Sequence, residues 1–314
     1  MKDSQSFDAS GFGITTLDYI CIVDRLANYQ KNTTIKDVKF FGGGVVSTAL
    51  AALNRLGGNS SLITLLGDDW VGKEVLKGLK EENIDCSAVE FGKGQLTTFS
   101  FIQVSSREGK RAISYYPGSG GNLKFDEKAR EIVRKSKILI LDGMLPNENL
   151  KAAKFARSIG VKVMLDCNML NIATKQLLPY IDYLITSESF LYDYSKTRDV
   201  KKALKKLKED YNPEVLVTTL GRKGSVTLIN NEIKQVKIFD VKVKDTTGCG
   251  DVYHGAFLFG LLRKWDIMDI MIFSTAVSSI KSMYYGGRPG IPDFKKTIEF
   301  LKDFNISVDK YLSS

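Results

Sequence analysis

Histidine is almost missing from this chain of 314 residues: His254 is the only one. A metal cluster built on several imidazoles is therefore excluded, and a lone histidine is more often structural than catalytic. Cysteine is sparse too. Cys21, Cys86, Cys167 and Cys249 are scattered and form no C-x-x-C pair. That removes zinc-finger and redox-pair spacings and leads us to expect a reduced, cytoplasmic protein. No stretch approaches the roughly 20 apolar residues of a membrane span. The opening MKDSQSFDASGFG has no apolar run of signal-peptide length. No arginine-rich tail points to nucleic acid.

What is present is ordinary for a folded protein. Hydrophobic residues make up 43% and charged residues 26%, so broad disorder is not expected. The net charge is +9, from 45 basic and 36 acidic residues. Such a surface can attract phosphorylated ligands. The lysines are widely spread, however, and the densest run, Lys201–Lys208, reads as the solvated face of a helix with Leu204 and Leu207 inward. The expectation is one large domain over residues 1–314, with neither a nucleic-acid nor a membrane partner.

Along the chain, Phe12–Ile22 reads as a strand that breaks or turns near Asp18. Thr34–Phe41 reads as a strand ending in Gly42-Gly43-Gly44, and Val45–Leu56 as a buried helix stopped by Gly57-Gly58. Asp69–Glu82 has a helical period. Thr97–Val104 and Arg111–Tyr116 read as a β-hairpin joined by the polar Ser105–Lys110. After Gly118, helices and apolar strands alternate, with strands at Ile138–Leu141, Lys162–Leu165, Leu184-Ile185 and Glu214–Thr218. That alternation is the signature of parallel βαβ units. Val226–Ile229 and Gln235–Val241 read as antiparallel strands. Helices are expected from near Asp251 and over Met268–Met283.

The most informative stretch is Asp245-Thr246-Thr247-Gly248-Cys249-Gly250-Asp251, followed by an apolar helix. Its glycines can turn the chain tightly and aim several N–H groups at one point, and the helix that begins there adds its dipole. This is a cradle for a phosphoryl group. Asp251 at its mouth can accept a proton from an attacking alcohol. It can equally be a helix cap, and the two roles can coexist.

This stretch resembles the C-terminal signature of the ribokinase-like sugar kinases, the PfkB family. The resemblance implies that Gly248, Cys249 and Gly250 form an anion hole and that Asp251 is the catalytic base, an ordinary carboxylate with a pKa near about 4. Cys249 stands where the family has alanine. Thr218-Thr219-Leu220-Gly221-Arg222-Lys223-Gly224 resembles the nucleotide-binding loop. With Thr247, and with Ala276 and Ser278 on a later helix, it gives Thr218, Gly221, Gly224, Thr247, Ala276 and Ser278 as nucleotide-site candidates. Gly42-Gly43-x-x-x-Ser47 resembles the substrate signature, with Ser47 in place of asparagine. Asp18 matches the early aspartate that accepts substrate hydroxyls. Asp166-Cys167-Asn168 resembles a D-x-N segment of the cleft, so Asp18, Gly42, Gly43, Ser47 and Asn168 are acceptor-site candidates.

The family's N-x-x-E motif is broken here. Ser187 and Phe190 replace its ends, and Glu188 is left as the metal candidate. Gly286-Gly287-Arg288-Pro289-Gly290-Ile291-Pro292 and the wording around Asp251 resemble a fructokinase-like branch.

The resemblance implies an α/β fold: a three-layer α/β/α sandwich with a mainly parallel sheet. A small β lid, from about residues 15–42 and 97–117, would close over the sugar and could pair two chains as a homodimer. The implied enzyme is an ATP-dependent carbohydrate kinase acting on a hydroxyl, taken as primary, of a sugar or sugar-derived metabolite. The alternatives are a purine nucleoside kinase and a catalytically weak, sugar-sensing relative. ATP and Mg²⁺ are the implied cofactors, and K⁺ near the anion hole stays open.

Overall fold

The computed structural model describes residues 7–28, 30–108 and 110–313. Residues 1–6 of the opening segment, and Gly109 of the expected hairpin loop, lie outside the described residues. Thirteen strands are described, and they form two sheets.

The strands are β1 (Phe7–Phe12), β2 (Thr16–Val23), β3 (Ile35–Gly43), β4 (Ser60–Gly67), β5 (Val89–Gly92), β6 (Phe99–Ser105), β7 (Arg111–Tyr116), β8 (Ser136–Leu141), β9 (Lys162–Cys167), β10 (Tyr183–Ser187), β11 (Val215–Thr219), β12 (Ser225–Ile229) and β13 (Glu232–Val236). The large sheet has the order β13-β12-β11-β10-β9-β8-β1-β4-β5. It is parallel from β5 to β11 and antiparallel at β12 and β13.

Its central strands are apolar on both faces because helices cover both. Alternation along one strand shows this directly. Ile138 and Ile140 of β8 enter a core shared with the helices Val45–Arg55, Cys249–Leu262 and Ile267–Ser282. Leu139 and Leu141 point the other way, against the helices Glu127–Arg134, Pro146–Ser158 and Val200–Tyr211. The expected three-layer α/β/α arrangement is therefore observed.

The small sheet, β3-β2-β6-β7, stands apart from it. Its four strands match the β-rich pieces expected to separate from the main domain.

Three boundaries differ from the sequence reading. The early strand does not break at Asp18. It breaks at residues 13–15, where the chain leaves the large sheet for the small one, and Asp18 lies inside β2. The Asp142 carboxylate holds this crossing by accepting the Ile14 N–H at 2.8 Å. The strand expected over Gln235–Val241 is β13, which ends at Val236, and the following chain is irregular. The edge strand β5 has no apolar alternation to announce it and exists through parallel pairing with β4.

The order of the large sheet reverses between β1 and β8: β4 and β5 add on one side, β9 to β11 on the other. Ligands of open parallel sheets bind outside the C-terminal strand ends at such a reversal. Asp142 directly follows β8, while Asp166 is the penultimate residue of β9 and Thr219 ends β11.

Candidate active site

The cradle is built from the inside. The buried Asp245 carboxylate accepts the Thr247 N–H at 2.8 Å and the Thr247 hydroxyl at 2.7 Å, while its other oxygen accepts the Gly286 N–H at 2.8 Å. This ties the turn to the G-R-x-G-I-P segment. Gly248 follows with φ +73°, a left-handed conformation, and a Cβ there would lie 2.7 Å from the Gly287 Cα. Only glycine suits both demands. The helix then starts at Cys249, whose N–H reaches the Thr246 carbonyl. The N–H groups of Gly250 and Asp251 have no acceptor among the described residues, as expected for a first helical turn.

Asp251 stands in that first turn, half-buried. Burial, and then the nearby Asp166 carboxylate, push its pKa up to about 7, against the opposing pull of His254 and Arg111. This corrects the ordinary value near 4 expected from sequence. A base with a pKa near neutrality is better matched to proton transfer. Burial likewise raises the Cys249 thiol, so its sulfur is not a ready nucleophile. His254 is buried and sits in the interior rather than in the cleft. Its Nδ1 lies 2.8 Å from the Gly250 carbonyl and 3.0 Å from an Asp166 oxygen.

A cavity of about 900 Å³ opens beside the cradle. Five expected residues meet in its wall: Gly221, Gly224, Cys249, Gly250 and Ser278. Three do not. Thr218 is buried with its hydroxyl 2.8 Å from that of Thr186, and Thr219 takes its place in the wall. Ala276 packs in the core, and the small hydroxyls Thr275, Ser279 and Ser282 line the cavity instead. The Thr247 side chain is turned inward to Asp245.

The sequence also missed Arg111 and Lys110, which reach this cavity from the small sheet. Arg111 Nη1 donates to the Thr246 hydroxyl. The apolar Ile238, Phe239, Val241 and Val243 from the irregular segment after β13 complete the wall.

At the acceptor end, Asp18 is buried in β2 and accepts the Thr16 hydroxyl at 2.7 Å. Its pKa is raised by burial, and bonds from Thr16 and Ser100 and the charge of Arg288 partly offset this. Its charge is in turn felt at Asp251. A Cβ on Gly43 would come within 2.2 Å of the Asp18 carboxylate, so this glycine makes room for it. Gly42 makes room for Arg288 instead, since a Cβ there would meet Nη1 at 2.5 Å.

The Ser47 side chain is buried. Its buried hydroxyl donates to the Gly43 carbonyl at 2.7 Å and lies 2.9 Å from that of Thr15. It fixes the glycine turn where a longer asparagine would extend beyond it. Asn168 is exposed, 3.4 Å from Asp166.

Arg288 is the residue here that the sequence reading quoted without a role. It is buried, donates to the Gly43 carbonyl at 3.1 Å, and leaves Nε and Nη1 without an acceptor among the described residues.

The broken N-x-x-E motif has a structural explanation. The Ser187 hydroxyl caps the helix Glu188–Ser195 by accepting the Phe190 N–H, and Phe190 is buried in the core. Glu188 accepts from Lys223 and from the Tyr192 hydroxyl, each at 3.1 Å. Among the described residues no group of three or more His, Cys, Asp or Glu is arranged to hold a metal ion. No described helix is long and apolar enough to cross a membrane.

On this three-layer α/β/α fold, a large cavity opens beside a helix start whose first turn has open N–H groups and a carboxylate of raised pKa. A family profile described as pfkB family carbohydrate kinase matches residues 8–293, and the chain belongs to that family. It is 24% identical to a ribokinase of Lactococcus lactis, covering 95% of this chain and 98% of the relative. It is 25% identical to a nucleoside kinase of Methanothermobacter thermautotrophicus, covering 94% and 96%. The structure of Arabidopsis thaliana ribokinase complexed with ribose and ATP superposes with a TM-score of 0.80 at 23% identity, covering 94% of this chain and 99% of that one. Relatives with different acceptors match equally well, so the fructokinase-like wording does not place the chain in that branch.

Proposed function

We propose that this sugar kinase transfers the γ-phosphoryl group of ATP to a hydroxyl of a sugar or sugar-derived metabolite, with Asp251 as the base. The observation that carries this is the placement of Asp251. Its carboxylate, with a pKa of about 7, stands at the open start of the helix Cys249–Leu262, beside the 900 Å³ cavity and within the electrostatic reach of Asp18.

In the proposed step the acceptor oxygen forms a bond to the γ-phosphorus as the bond to the β–γ bridging oxygen breaks. The proton goes to Asp251, and ADP leaves. The N–H groups of Gly250 and Asp251 would hold the phosphoryl oxygens. Gly221, Gly224, Thr275 and Ser278 would border the nucleotide, and Asp18 and Asn168 the acceptor. ATP would bring Mg²⁺ with it, and the metal would screen the phosphate charge. Glu188, already engaged by Lys223, would act on it at most through water. The small sheet would act as a lid, excluding water from the transfer.

The test is ATP consumption with a panel of pentoses, hexoses, sugar acids and purine nucleosides, followed by product mass. A sugar monophosphate supports the reading. A nucleoside monophosphate moves the chain to the nucleoside branch. ATP binding without turnover on any acceptor would favour the sensing alternative.

A further inference from the structure

Lys281, on the helix Ile267–Ser282, is 0% exposed. Lysine is rarely found so deep unless its ammonium is matched by acceptors. Those acceptors are backbone carbonyls of the phosphate turn. Nζ donates to the Thr247 carbonyl, and it lies 3.2 Å from the Asp245 carbonyl and 4.0 Å from the Cys249 sulfur. The Asp245 carboxylate is engaged elsewhere, by Thr247 and by the Gly286 N–H. The ammonium is therefore held by peptide oxygens, the ligand type that also holds a dehydrated monovalent metal cation.

We propose that the Lys281 ammonium is a tethered monovalent cation for this turn, so that the turn needs no K⁺. The inference rests on the kinase reading, because it assigns the turn a phosphate to hold. K⁺ does not fit: the two carbonyls that would draw it inward already have the Lys281 ammonium between them.

The consequence for the site follows from charge. A cation on the Asp245 and Thr247 carbonyls polarises those peptides and adds positive potential beneath the Gly250 and Asp251 N–H groups. It also fixes the turn that Gly248 bends. Lys281 thus acts through the backbone and is a positioning residue. It stays in place through the catalytic cycle, whereas a free ion would depend on its concentration.

The test compares the full chain in tetramethylammonium chloride and in KCl at equal ionic strength. Calorimetry measures MgADP affinity, and turnover is measured on whichever acceptor the panel identifies. The wild type is expected to bind and turn over equally in the two salts.

Lys281→Ala opens a space at the carbonyls. It is expected to weaken MgADP binding in tetramethylammonium by a factor of about 10 to 100, the range for losing a charged hydrogen-bond donor. KCl or NH₄Cl is expected to restore most of that loss. Lys281→Met fills the space without charge and is expected to show the same loss with no rescue.

A wild type that K⁺ stimulates tenfold or more would overturn the proposal and leave the kinase reading intact. So would a folded Lys281→Ala that is weakened but indifferent to K⁺, since that is the behaviour of a purely structural side chain. A wild type that binds no MgADP in either salt would overturn the kinase reading, and this proposal with it.

Discussion

At the scale of single residues, Asp251 and Asp18 are two carboxylates whose environments suit different work. Asp251 has its pKa raised to about 7 by burial and by Asp166. Its basic form is therefore lost as pH falls through that value, well above the usual carboxylate range. The expected kcat/KM profile for the acceptor has an ascending limb near pH 7, and Asp251→Asn should remove it. A profile flat down to pH 5 would show that no group of raised pKa supplies the base. Asp18 is held by the Thr16 hydroxyl and sits where Gly43 leaves space. Asp18→Asn keeps the size but loses acceptance from two hydroxyls. The expected outcome is an acceptor kcat/KM lower by about 10-fold or more, with the affinity for MgADP unchanged. Unchanged kcat/KM at limiting acceptor would remove Asp18 from the site.

At the scale of elements, the site is one local turn completed by distant pieces. The turn Gly248–Asp251 was legible because its glycines, helix start and carboxylate are adjacent in sequence, whereas Gly286, Gly287 and Lys281, which brace it, come from later in the chain. The alternation of helix and strand gave the large sheet for the same reason. Arg111 and the hydroxyls of Thr275, Ser279 and Ser282 were not legible as site residues, because only tertiary packing brings them to the cavity, and packing likewise brings Arg288 to Gly42 and Gly43 at the acceptor end. The break at residues 13–15 was misplaced because both flanking segments are apolar strands, and the sheet each one joins is a long-range matter.

The hairpin β6–β7 shows how such pieces matter. Its Arg111 reaches across to the Thr246 hydroxyl of the phosphate turn, so the small sheet and the cradle are physically linked. Arg111→Ala should weaken MgATP binding by about 10-fold, with little change in thermal stability, because the side chain lies at the surface. Equal affinities in mutant and parent would detach the hairpin from the nucleotide site.

At the scale of the whole molecule, the small sheet carries an exposed aromatic patch. Tyr19 stacks with Phe101 at 4.9 Å and meets Phe40 edge-on at 4.9 Å, yet Phe40 and Phe101 are 51% and 50% exposed. A joined aromatic patch of this kind is a common mark of an interaction site, and we propose pairing of two chains through it. Sedimentation should show a dimer at micromolar concentration, and Phe101→Lys should shift it to monomer. A monomeric parent at that concentration would refute the pairing.

The central claim is phosphoryl transfer with Asp251 as the base, and it is tested most directly by measuring kcat and MgADP affinity together for Asp251→Asn on the acceptor the parent uses. The expected result is a kcat lower by about 10²–10⁴-fold with nucleotide affinity equal to or tighter than the parent's, because a negative charge near the phosphates is gone. A folded Asp251→Asn that turns over at the parental rate would contradict the mechanism.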